Sequence, residues 1–122
     1  MKLFTKPQLK KLLENSWDIN EDKDHPPVVK LFMTGTNCTW LLSELDPETQ
    51  DIAFGLCDLG MGFPELGYVS LSEVKSAEGA SRFLERDQHF EGEFPLSVYA
   101  RAARYYEHIV TDREIVKKFV PN

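Results

Sequence analysis

Glu85, Asp87 and His89 stand two residues apart in the run Phe83–Phe90, FLERDQHF. In an extended chain, side chains alternate between faces, so these three would share one. Two carboxylates and an imidazole on one face could hold a divalent metal or exchange protons with a substrate. A polar edge strand that discourages aggregation accounts for the same pattern. Glu44, Asp58 and Glu65, in or beside apolar runs, are the candidate catalytic acids. The chain has 20 acids, so a pair chosen on composition alone carries little information. Cys38 is the candidate thiol nucleophile and would need His25, His89 or His108 beside it in space. Cys38 and Cys57 are separated by eighteen residues with no CxxC spacing, which argues against a zinc cluster. No HExxH, GxSxG, SxxK or phosphate-loop pattern occurs. No cofactor is expected.

Two stretches could instead bind. Asp58–Gly67, DLGMGFPELG, interleaves three glycines and a proline with large apolar residues. Gly60, Met61, Gly62, Phe63 and Glu65 would form a docking rim if Met61 and Phe63 are exposed. The competing reading is a rigid turn across the sheet end with both side chains tucked in. Farther on, Arg101 and Arg104 beside Tyr105 and Tyr106 resemble a surface for stacking on bases, although a core tyrosine beside a solvated arginine is the commoner case. The polar loop 18–27, DINEDKDHPP, lacks the central glycine and terminal glutamate of a calcium loop.

The elements that must position these residues are legible in outline. Trp40–Leu45 and Ile52–Cys57 flank the polar turn Asp46–Asp51 and read as a β-hairpin. Strict alternation puts Trp40 and Leu42 on one face of the first run, and Leu41, Ser43 and Leu45 on the other. In the second run it puts Ile52, Phe54 and Leu56 opposite Ala53, Gly55 and Cys57. One face is bulky, so a sheet covered on that face is expected. Tyr68–Leu71 is a third strand, and Val28–Met33 precedes the hairpin. Thr5 and Gln8 form a capping box, with Phe4 and Leu9 at the staple positions, for a first helix stopping near Asn15. Ser97 is the expected cap of the longest helical pattern, with its stripe over Tyr99, Ala102, Ala103, Tyr106, Ile109 and Val110. Thr111 with Glu114 suggests another capping box before a terminal segment, read as helix with strand as the alternative. The fold class expected is α+β: a mainly antiparallel sheet of four to five strands packed against N- and C-terminal helices, one domain over residues 1–122.

The formal net charge of −6 is unevenly spread: +1 over residues 1–43, −9 over 44–95 and +2 over 96–122. The acidic middle repels phosphates and suits a basic partner or a cation, as well as serving solubility. The start MKLFTKPQLKKLL has lysines but no long apolar run, and no stretch approaches eighteen apolar residues. No signal peptide, membrane span or disulfide framework is expected, and the cytoplasm is the expected compartment.

The runs LFTKPQLKKLLEN, HPPVVKLF, TWLLSELDPETQDIAFGLCDLGMGFPELGYVSLSEV and ERDQHFEGEFPLSVYARAA resemble DUF2958, a family of small bacterial proteins of unknown function. The likeness covers about residues 3–103 and is most specific over Trp40–Val74. It implies a setting on plasmids and other mobile elements, and it implies no activity, ligand or catalytic residue. Residues 34–39 depart from the smaller Gly/Ala-type turn of that family, which weighs against Cys38 as a shared nucleophile. The leading expectation is a protein-interaction or accessory module whose partner has a basic surface. The alternatives are a small metal-dependent or acid–base enzyme, and a nucleic-acid-associated or nucleic-acid-mimicking protein. No membrane role is expected.

Overall fold

The computed structural model describes residues 3–122. Helix α1 (Lys6–Trp17) leads through the 18–27 loop to β1 (Val29–Met33), β2 (Thr39–Leu45), β3 (Ile52–Asp58) and β4 (Glu65–Ser70). Helix α2 (Leu71–Ser76), β5 (Leu84–Arg86), α3 (Leu96–Tyr106), α4 (Arg113–Val116) and a 3₁₀ turn over Lys117–Phe119 complete the chain. The five strands form one antiparallel sheet in the order β4-β3-β2-β1-β5. The fold is α+β, as the sequence predicts.

The sheet is covered on both faces, not one. Trp40, Leu42, Leu45, Val29 and Leu31 pack with Leu12 of α1, whereas Leu41 and Leu56 pack with Val98, Tyr99, Ala102 and Ala103 of α3. Leu45 is therefore on the Trp40 face, opposite to the face that strict alternation assigns it. The cause is a β-bulge: Leu42 pairs with Gly55 and Glu44 with Phe54, leaving Ser43 as an extra residue. The carbonyl and hydroxyl of the bulged residue both find partners. Ser43 Oγ–H donates to the Phe54 carbonyl at 3.4 Å, and the Ser43 carbonyl accepts from Asn15 Nδ2 of α1 at 2.9 Å. Gly55 is needed opposite this irregularity, because a Cβ there would lie 2.0 Å from the Leu41 carbonyl oxygen.

The capping box of α1 forms as its sequence implies, with Gln8 N–H donating to Thr5 Oγ1 and Thr5 N–H to Gln8 Oε1. The helix continues past Asn15 to Trp17, since Asn15 is buried against the bulge instead of ending the helix. Two caps differ from the local reading. Ser97 lies inside α3, whose N-cap position is Pro95. Asp24 serves the helix end from the 18–27 loop, accepting from the Ser97 N–H at 3.0 Å and from its hydroxyl. Asp112, not Thr111, caps α4, accepting from the Glu114 and Ile115 N–H groups. The terminal segment is helical, not a strand. Helix α3 stops at Tyr106, where Glu107 takes a left-handed conformation (φ 65°), yet Ile109 and Val110 still pack against the α3 core.

Strand β4 begins at Glu65, ahead of Tyr68, where the sequence places its start, and ends at Ser70. Asp51, at the end of the hairpin turn, accepts from Ser70 Oγ at 2.7 Å and from the Ser72 N–H at 2.8 Å, which joins the turn to the start of α2. These bonds, the Ser70 hydroxyl first, hold its carboxyl below the usual carboxylate range.

Candidate functional site

Strand β4 is one outer strand of the sheet and is paired on one side only. The Gly-rich segment leads into it. Gly60 has φ +77°, and a Cβ there would come within 2.9 Å of the Asn37 Cβ, so the close turn requires glycine. Asp58 closes this turn by accepting the Gly60 N–H at 2.8 Å. Beyond it the side chains point outward: Met61 is 73% exposed and Phe63 79%. The tucked-in reading of the turn is therefore overturned for both residues. Leu59, Leu66 (39%) and Tyr68 (77%) are also exposed, with the Tyr68 ring 5.0 Å from that of Phe54. Glu65 is exposed at the first position of β4. Between Lys30 and Lys75 the chain has seven carboxylates and no lysine or arginine, so this edge belongs to an acidic stretch of the sequence.

The candidate acids do not meet. Glu44 forms an ion pair with Lys23 at 2.8 Å, on the α3 side of the sheet. Asp58 is 2% exposed, and both its oxygens are engaged by backbone, Oδ1 by Gly60 and Oδ2 by the Ile109 N–H at 2.9 Å. It thus binds the Gly-rich turn to the segment after α3. Glu65 projects at the opposite edge from the Phe83–Phe90 run.

That run is extended only over Leu84–Arg86. Asp87 pairs with Lys30 at 3.6 Å and accepts the His89 N–H at 2.9 Å, an Asx turn that ends the alternation. Glu85, Asp87 and His89 still border one shallow hollow, but among the described residues no group of three or more His, Cys, Asp or Glu is arranged to hold a metal ion.

A larger open hollow of about 700 Å³ lies at the sheet end, where Lys30, Cys38, Asp58, Asp87 and His108 contribute to its lining. Cys38 Sγ–H is directed to the Leu59 carbonyl at 3.5 Å. Cys57 is the other free thiol, and burial raises its pKa, which favours the protonated form. His25 pairs with Asp18 at 2.8 Å, away from this hollow; the Asn20 N–H, followed by His25, holds the Asp18 carboxyl below the usual range. Near the C-terminus the rings of Tyr105 and Tyr106 meet that of Phe119 in tilted and edge-on contacts, and Arg101 donates to the Phe119 carbonyl. These rings and Arg101 thus contact the last turn, and Tyr105 remains exposed. Among the described residues no helix is long and apolar enough to cross a membrane.

The local composition of Asp58–Gly67 pointed to the rim. The open edge of β4 had no separate sequence signal beyond the absence of lysine and arginine. Neither the curated proteins nor the solved structures hold a match to this chain. The family model described as "Protein of unknown function (DUF2958)" matches residues 3–110, most of the 122-residue chain and past the 3–103 stretch quoted above, and the protein belongs to that family.

Proposed function

We propose that this domain is an accessory module that docks a protein with a basic surface through the rim Gly60–Glu65 and the adjoining β4 edge. One observation carries the reading: Met61 and Phe63, in the turn that leads into β4, and Tyr68, on that outer strand, are all largely exposed. Single exposed apolar residues are ordinary on a surface, whereas several large ones within eight residues of one another, bordered by polar groups, are the kind of surface that interaction sites use. The acidic surroundings favour a cationic partner and would speed its approach. The dispersal of Glu44, Asp58 and Glu65 lends less support to acid–base chemistry, which needs its groups in mutual reach. In this reading the module acts in the bacterial cytoplasm, in the mobile-element setting that the family resemblance implies.

The test is affinity capture from the native host with the wild-type chain and with a Met61→Ser/Phe63→Ser variant, followed by reconstitution with the purified partner. The reading requires a cationic partner that binds the wild type directly and binds the variant at least about tenfold more weakly, since two rim side chains at an interface centre carry that much energy. Equal binding by the two chains refutes it.

A further inference from the structure

Resting on that reading, we propose how the partner is held: an extended segment bearing lysine or arginine adds to β4 as a sixth strand. The phase of the β3–β4 ladder supports this mode. The Leu71 N–H donates to the Asp51 carbonyl at 2.9 Å, which makes Asp51–Leu71 a hydrogen-bonded pair. Such pairs alternate along an antiparallel ladder, so Val69, Gly67 and Glu65 bond to β3. Leu66 and Tyr68 then turn their N–H and C=O groups away from β3, toward the open side. Two residues thus offer two donors and two acceptors in the spacing of a strand, as strand addition requires.

The two outer strands of the sheet differ in protection. Strand β5 has three residues, two of them charged, and the Asp87 turn follows at once. Strand β4 has six residues with no lysine, arginine or proline, and its one charge is Glu65. Short, charged or proline-bearing edges resist pairing, and β4 has little of this defence.

The side chains identify the occupant. Leu66 and Tyr68 lie opposite Leu56 and Phe54, on the α3 side of the sheet. Inward of them, across β3 and β2, lie two neighbouring hollows, one lined by Ile52, Phe54, Tyr68, Glu44 and Asp46 and the other by Leu66, Glu21 and Asp22 among others. Lys23 and Glu44 neutralise each other there, which leaves Asp46, Glu21 and Asp22 as the carboxylates of this face. Alternate side chains of an added strand would lie beside Leu66 and Tyr68, from where a long cationic side chain can extend over the Tyr68 ring toward this acidic face. A second copy of this chain would instead bring together two like-charged molecules of −6 each.

The probe is a short blocked peptide alternating valine with lysine, mixed with the full chain and followed by amide hydrogen exchange. Exchange at Leu66 and Tyr68 should slow by about tenfold or more at saturation, because both amides become hydrogen-bonded. A glutamate-for-lysine peptide should bind at least about tenfold more weakly at low salt. Methylating the peptide nitrogens that face β4 should weaken binding by about tenfold or more, while methylating the alternate ones should not. Leu66→Pro removes only an outward N–H, which an edge strand tolerates, and should weaken binding by about tenfold relative to Leu66→Ala. The proposal is overturned if the lysine peptide does not bind, or if it binds without protecting Leu66 and Tyr68. It is equally overturned if protection rises with protein concentration alone, which would mean self-pairing. A native partner that binds Leu66→Pro normally yet fails on the Met61/Phe63 variant would sink strand addition and leave the docking reading standing.

Discussion

Replacing Asp58 separates a structural carboxylate from a catalytic one. Its two oxygens accept backbone N–H groups from Gly60 and Ile109 at 2.8 and 2.9 Å, and the residue is 2% exposed. Hydrogen bonds to a charged acceptor contribute about 1.5–3 kcal/mol each, so Asp58→Ala, which orphans both donors, should cost about 3–6 kcal/mol. Asp58→Asn keeps one acceptor and turns an NH₂ toward the other donor, for a cost of about 1.5–3 kcal/mol. For a chain of this size each kcal/mol lowers Tm by roughly 3–5 °C, which puts the asparagine variant roughly 5–15 °C below wild type. The assay is urea unfolding followed by tryptophan fluorescence, with amide exchange read at Gly60 and Ile109. The midpoint should fall without a change in slope, and both segments should exchange faster. An asparagine variant as stable as wild type would refute the structural assignment and return Asp58 to the list of candidate acids.

Three further outcomes follow from the geometry. Asp51 has a lowered carboxyl pKa, so its contribution is present above about pH 4, the unfolded value, and is lost as pH falls through the lower folded value. An acid titration of stability should therefore fall less steeply in Asp51→Asn than in wild type, and parallel curves would contradict this. Gly55→Ala should destabilise the sheet by about 3 kcal/mol or more, because its Cβ would meet the Leu41 carbonyl; a wild-type denaturation midpoint would show that the bulge can move aside. Asp24→Ala should cost about 1 kcal/mol through loss of the α3 cap, whereas Pro95→Ala should not reproduce that loss; thermal melts of both variants decide between them.

What could be read from the residues alone was local. The capping box of α1 uses partners three residues apart, and the hairpin uses a turn of adjacent polar residues, so both were legible. Contacts that bridge distant parts of the chain were not. Asp24 caps a helix 73 positions later in sequence, and no nearby pattern announces it. Asp58 looked like a candidate acid because its acceptors' partners, above all Ile109, are visible only after folding. The Glu85–Asp87–His89 face does not extend because the Asp87 carboxylate accepts the His89 N–H, a competition between turn and strand that alternation ignores. Exposure of Met61 and Phe63 was one of two readings and depended on whether the glycines turned the chain outward or across the sheet.

The bulge at Ser43 has a consequence for how chains of this family can vary in length. Strand partners on either side of it remain in register if residue 43 is absent, since Leu42, Glu44 and Leu45 would then oppose Gly55, Phe54 and Ala53 in regular order. An alignment gap within β2 should thus fall at this position, because a deletion elsewhere in the strand turns core side chains toward the wrong face. Such a gap should coincide with a change at Asn15, whose amide would have no Ser43 carbonyl to serve. Length variation in the sheet and a substitution in the first helix would then be inherited together.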